Sequence, residues 1–208
     1  TGRGVPARVR DAGEPSNHGP RRGPTRVHTK KKTIVCSERD RPSVEAQRQA
    51  YLRAIASVNP AKLVFLDESG SHISMTRPYA RAPIGIRAVG RTPRNRGRVL
   101  TMIGALARTG FRALMTIEGG TTGAVFLTFV TDYLGPRLKK GDVVVLDNLA
   151  AHHATGVREA IEAVGARVVY LPPYSPDLNP IELGWSKVKS VLNRIGARTV
   201  VRLNRAVR

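Results

Sequence analysis

Two short apolar runs, KLVFLD at 62–67 and DVVVLD at 142–147, limit most tightly what this chain can fold into. Runs of this length and character read as buried strands. Each delivers an aspartate, Asp67 or Asp147, at its C-terminal end. In open α/β sheets that edge is where ligands bind. A carboxylate that follows a buried strand is costly to desolvate unless something compensates it. A divalent cation does so, because hard cations take carboxylate oxygens. The competing reading of either aspartate alone is a turn residue or helix cap, and the matching pair weighs against it. Glu68 and Asp142 are weaker candidates. Asp142 follows Gly141 at a strand start and reads as turn chemistry.

The segments around these runs complete an α/β pattern. SVEAQRQAYLRAIAS (43–57) reads as a helix, with Ser43 able to cap it and Ala46, Tyr51, Leu52 and Ile55 forming a loose stripe. RVLTMIGALA (98–107) and FRALMTIEG (111–119) flank Thr109-Gly110 as a hairpin. A helix follows, capped by Thr121 or Thr122, and then the 142–148 strand. The helix HHATGVREAIEAVGA, the strand ARVVYLPP and a last helix after Asn179 close the pattern. The expected product is a layered α/β domain with a mixed sheet, antiparallel early and parallel late.

Charge narrows the partners. The 208 residues hold 35 Lys+Arg against 15 Asp+Glu, a net +20. Such a field attracts polyanions, nucleic acid foremost. Residues 1–24, with five Gly and four Pro, read as disordered, and 1–32 carry nine basic residues against two acids. Removing that +7 from +20 leaves +13 on the remainder, so basicity is not confined to the arm. No apolar run approaches the ~20 residues of a membrane span. The single cysteine, Cys36, excludes an internal disulfide framework, and a cytoplasmic protein is expected.

LPPYSPDLNPIELGW (171–185) supplies a third acid, Glu182. Asn179-Pro180-Ile181-Glu182 has capping-box spacing, so Glu182 is explained by helix-start chemistry as readily as by metal binding. On local grounds the two roles stay balanced.

Taken in order, LVFLDESG, VVVLDNLAAHH and LPPYSPDLNPIELGWSKVK resemble the three acidic motifs of DDE transposases, nearest the bacterial insertion-sequence branch of the mariner-like superfamily. Thirty-four residues lie between Asp147 and Glu182, a separation typical of that branch. KKKTIVCSERDRPSVEAQRQ (30–49) is similar to the connector that precedes such a domain, and RPYARAPIG (77–85) to its post-strand hairpin. The resemblance covers roughly 30–195. It implies an RNase H-like fold, a mixed five-stranded sheet flanked by helices. It also implies that Asp67, Asp147 and Glu182 are the catalytic residues and bind two Mg²⁺ (or Mn²⁺) ions. Expected partners are double-stranded DNA, as transposon ends and a TA target whose step deforms cheaply, and a second copy of the chain on that DNA. The expected place of action is the bacterial cytoplasm, at the nucleoid.

The resemblance divides the chain into a disordered basic tail (1–29), a connector with a helix (30–60), a catalytic domain (61–195) and a C-terminal tail (196–208). Asn148 and His152 complete a D-N-x-x-x-H pattern and are expected to orient a ligand, water or phosphate; a solvated helix-start residue is the bland reading of His152. His153 has no place in the motif. Trp185, one turn past Glu182, reads as a core anchor before a base-stacking platform. Arg91, Arg94, Arg96, Arg98, Tyr174, Lys187 and Lys189 are candidate DNA contacts, or solvated side chains. Residues 1–28 do not resemble the helix-turn-helix modules that read transposon ends. The rival reading is therefore an inactive DNA-binding remnant of a transposase. A junction resolvase fits PYSPDLNPIE poorly, and an RNA-binding module lacks aromatic platforms at 5% aromatic content.

Overall fold

A computed structural model describes residues 36–207. The expected disordered tail at 1–29 and the start of the connector lie outside them. Five strands form one sheet: β1 (Leu63–Ser71), β2 (Leu100–Ala107), β3 (Gly110–Glu118), β4 (Val143–Leu146) and β5 (Arg167–Tyr170). Their order across the sheet is β3-β2-β1-β4-β5. β1–β2 and β2–β3 are antiparallel, while β1–β4 and β4–β5 are parallel. This is the expected mixed sheet, with its direction changing at β1.

β1 does not stop at Asp67. Its parallel ladder with β4 runs from Leu63↔Val143 to Phe65↔Val145, but its antiparallel ladder with β2 continues to Ser71↔Leu100. Asp67 therefore sits mid-strand, opposite Gly104, at the height where the parallel neighbour ends. The local pattern could not show this, because the extra residues are held by a strand some thirty positions downstream.

Alternation along the strands sorts the core into two faces. Val64, Leu66, Val144 and Leu146 pack with Phe126, Phe129, Val157 and Ile161 on one face. That face is covered by α2 (Gly123–Thr128), which runs on as a π-helical turn to Leu134, and by α3 (Val157–Ala163). Thr122 caps α2 by accepting from the Val125 N–H at 3.3 Å. The other face takes α1 (Pro42–Ala56), α4 (Ile181–Ile195) and α5 (Val200–Val207). There Trp185, Leu192, Leu203 and Val207 pack with Leu100 and Met102, and Tyr51 packs with Val143 and Val145.

Several local expectations are corrected. Pro42, not Ser43, opens α1, with the proline in the first turn where its missing N–H costs nothing. Of the expected stripe, Tyr51 is buried and Leu52 is exposed; Val44 and Arg48 are buried instead. The stretch expected as a tail at 196–208 contains α5, whose Leu203 is 1% exposed. Its two buried positions four apart are an amphipathic signal too brief to read alone. RPYARAPIG forms no hairpin. Its backbone makes one turn, from the Ile86 N–H to the Pro83 carbonyl. Pro78 and Pro83 lack the N–H groups a ladder needs. No helix among the described residues is long and apolar enough to cross a membrane.

Candidate active site

The parallel register brings the first two acids together. β1 and β4 pair at an offset of 80 positions (Leu63 with Val143), and the same offset carried onward sets Asp67 level with Asp147. Both follow strand residues of one parity, Phe65 and Val145, so both belong to the face carrying α1 and α4. Glu182 stands in the first turn of α4. The three acids line one pocket of about 420 Å³, together with Asn148, Tyr174 and Asn179.

Glu182 is not a cap. Asn179 makes no side-chain capping bond to α4, and its Oδ1 is buried without a partner among the described residues. A backbone contact, Glu182 N–H to the Asn179 carbonyl at 3.2 Å, replaces the expected box. The capping explanation thus drops away, and the Glu182 side chain is left exposed to the pocket and to a larger adjoining groove.

Each aspartate is gripped. Trp185, 2% exposed, donates its indole N–H to Asp67 Oδ2 at 3.1 Å. The indole reaches Asp67 across Gly104, where an added Cβ would lie 2.6 Å from Trp185 Cη2. Trp185 is therefore both a core anchor and a partner of the carboxylate, and it is too deep to stack on a base. Asp147 Oδ1 accepts from the Leu149 N–H at 3.0 Å and from His152 Nδ1 at 2.6 Å. His152 is fully buried, and its Nε2 donates to Glu68 Oε1 at 3.0 Å. The bland reading of His152 as a solvated residue is overturned. It packs against Phe126, ring centroids 4.2 Å apart and planes tilted by 38°.

These surroundings push the two aspartates in opposite directions. Burial raises the Asp67 pKa to about 7, and the nearby charges of Glu182, Glu68 and Asp147 add to it. Burial also opposes ionisation of Asp147, but the bonds from His152 and Leu149 outweigh it and hold the carboxyl below its ordinary range. His152 is desolvated, yet Asp147 and Glu68 together raise it to about 9, so it is an imidazolium at neutral pH. One aspartate is thus a carboxylate with a spare oxygen. The other awaits a positive charge.

Among the described residues, no three His, Cys, Asp or Glu side chains stand close enough to form a ready-made metal cluster. The acids line a common pocket rather than meet at a point. The donor set nonetheless fits a hard divalent cation. It is all carboxylate oxygen, Asp147 Oδ2 carries no hydrogen bond among the described residues, and Asp67 is destabilised as an anion in a way a cation would relieve.

The other candidates divide. Asn148 is committed to the frame, donating its amide to the Leu171 carbonyl at 2.6 Å. Tyr174 is half-exposed at the pocket with φ 53°, a left-handed conformation rare for a tyrosine. That turn is braced from α1. Arg48 forks onto both Asp177 oxygens (3.1 and 2.8 Å) and donates to Ser175 Oγ. Lys189 lines the adjoining groove of about 760 Å³ with Arg77, Tyr79 and Arg194, and Lys187 does not. Arg91, Arg94 and Arg96 are exposed, while Arg98 pairs with Glu118 at 2.9 Å. Sequence reasoning missed Gly104, Arg48, Arg77 and Arg194 and underrated Glu68, since none shows a local pattern.

The fold has counterparts. A family model described as DDE superfamily endonuclease matches residues 62–203. No curated protein matches the chain. Among solved structures, a pre-cleavage Mos1 transpososome superposes with a TM-score of 0.67 at 16% identity, covering 86% of this chain and 58% of that one. A Mos1 transposase paired-end complex with the left transposon end gives 0.66 at 17% identity, covering 87% and 62%. A Mos1 mariner paired-end complex with Mn gives 0.63 at 18%, covering 83% and 54%. The chain spans about three-fifths of the length of those transposase chains. At these identities the likeness establishes a common RNase H-like fold. The match over 62–203 takes in both aspartates, Glu182 and the α4 that carries it, and on that ground the chain belongs to the DDE superfamily of endonucleases.

Proposed function

We propose that the chain is the catalytic domain of a DNA transposase, of the mariner-like superfamily and its bacterial insertion-sequence branch, that cleaves and joins DNA strands in cut-and-paste transposition. The observation that carries this reading is the pocket shared by Asp67, Asp147 and Glu182. The 34-residue interval from Asp147 to Glu182 supports the branch. The domain occupies 61–195, after a connector at 30–60 and a basic arm at 1–29, with α5 packed on it.

Asp67 and Asp147 would hold two Mg²⁺ or Mn²⁺ ions from the sheet, and Glu182 from α4. When bound, such ions supply an activated nucleophile and charge relief on the leaving oxygen. The chain itself sets the geometry. The Trp185 N–H orients Asp67, while His152 and the Leu149 N–H fix Asp147 Oδ1 and leave Oδ2 for the pocket. Asn148 pins the loop that bounds the pocket on one side. Arg77, Lys189 and Arg194 offer phosphate contacts beside Glu182, and Tyr174 a contact at the pocket mouth; Arg91, Arg94, Arg96, Arg98 and Lys187 remain proposed DNA contacts outside it. Transposon ends and a TA target are the proposed substrates, a homodimer on DNA the proposed assembly, and the bacterial cytoplasm, at the nucleoid, the place of action.

A plasmid assay tests the reading. With Mg²⁺ or Mn²⁺ the parent nicks supercoiled DNA and Asp147→Asn does not. Equal DNA binding by both, with nicking by neither, refutes it.

A further inference from the structure

Glu68 follows Asp67 on β1, so strand alternation sends it to the opposite face of the sheet, away from the pocket. There it is nearly buried, its side chain 11% exposed. Its Oε1 accepts from His152 Nε2 at 3.0 Å, while its Oε2 is buried with no partner among the described residues. A carboxylate in such a place is costly, and a space-filling role would be served better by an apolar side chain. What the charge accomplishes is visible one step further on. His152 uses its other nitrogen on Asp147 Oδ1, at 2.6 Å. Phe126 lies against the ring and limits its tilt. With both nitrogens bonded and one flank packed, the imidazole has a single orientation. Through it, so has the Asp147 carboxylate.

We propose that Glu68 is a positioning residue for Asp147, acting through His152 as a Glu68–His152–Asp147 chain that passes from the far side of the sheet to the pocket. Two consecutive residues of β1 then serve one site from opposite faces. Asp67 enters the pocket directly, and Glu68 braces the second aspartate from behind. Outer carboxylates that orient a histidine are a general device for tuning a metal ligand; here the histidine orients a carboxylate ligand instead of binding the ion itself. The inference rests on the proposed reading of Asp147 as a metal ligand.

The test measures Mn²⁺ binding to the full chain without DNA, by loss of the free-ion electron paramagnetic resonance signal. It compares the parent with Glu68→Gln, Glu68→Ala and Asp147→Asn. Glu68→Ala weakens Mn²⁺ binding about 10- to 100-fold, whereas Glu68→Gln, whose amide oxygen still accepts from Nε2, stays within about threefold of the parent. Metal-free affinity for duplex DNA is the same for parent and both Glu68 variants, which separates positioning from general damage to the fold. Should Glu68→Ala not fold, Glu68→Met, which keeps the volume and removes the acceptor, is measured in its place with the same expectation. The proposal is overturned if the variant lacking an acceptor binds Mn²⁺ like the parent while Asp147→Asn does not, or if Glu68→Gln loses as much as Glu68→Ala. If the parent takes up no Mn²⁺, or Asp147→Asn takes it up equally well, the metal-ligand reading of Asp147 fails first and the positioning role falls with it.

Discussion

Replacing Gly104 by alanine tests how the Asp67 side of the pocket is built. Gly104 pairs with Asp67 across β1–β2 and has no left-handed backbone, so the substitution changes space and not backbone preference. Its Cβ would lie 2.6 and 2.9 Å from Trp185 Cη2 and Cζ2, and 2.9 Å from Phe111 Cε1. Carbon atoms settle at about 3.5–4.0 Å, so the indole must retreat by about 1 Å. It has little room, being 2% exposed with Phe111 packed at 5.1 Å between ring centroids. Overpacking of this kind costs about 1–3 kcal/mol, which for a chain of this length lowers the melting temperature by roughly 2–12 °C. The same retreat stretches the 3.1 Å bond from Trp185 Nε1 to Asp67 Oδ2 beyond hydrogen-bonding range. Thermal melting of Gly104→Ala, Trp185→Leu and the double variant measures the coupling. Because Trp185→Leu removes the clashing atoms, the double variant is more stable than the sum of its parts by about 1 kcal/mol or more. Additive effects, or a Gly104→Ala protein that melts within about 1 °C of the parent, refute the argument.

Arg48→Ala removes the fork on Asp177 and the bond to Ser175, and stability falls by about 1–3 kcal/mol, discounted because Asp177 is partly exposed; hydrogen exchange across 172–179 accelerates, and unchanged exchange there would contradict the bracing role. Asp67 has a folded pKa of about 7, above its ordinary 3.8, so its protonated form stabilises the metal-free protein at low pH. That contribution is lost as pH rises through about 7, and the melting curve of Asp67→Asn, compared with the parent across that window, lacks this loss. Replacing Arg91, Arg94 and Arg96 together lowers the slope of log DNA affinity against log salt by up to about 0.9 per lost phosphate contact. An unchanged slope in filter binding assigns those arginines to solvent. Replacing Arg98 has less effect, since it already pairs with Glu118.

Much of this protein was legible in its residue order. The two apolar runs specify strands through their length and apolar character, and each ends on an acid; that Asp67 and Asp147 share a side of the sheet follows only from the β1–β4 register. That Glu182 joins the two aspartates was implied by the resemblance of the three acidic motifs to those of DDE transposases, since local pattern left Glu182 balanced between cap and ligand. What local pattern could not carry was partnership. Whether β1 ends at Asp67 depends on β2 pairing with it as far as Ser71. Whether Glu182 caps α4 depends on where the Asn179 side chain turns. Glu68, His152 and Asp147 are 84 and five positions apart in their successive bonds, and Trp185 meets Asp67 only because β2 places a glycine between them. Short-range period follows from covalent geometry and is written along the chain. Register, and the close approaches it permits, follow from packing distant segments into one core, and only the folded sheet decides them.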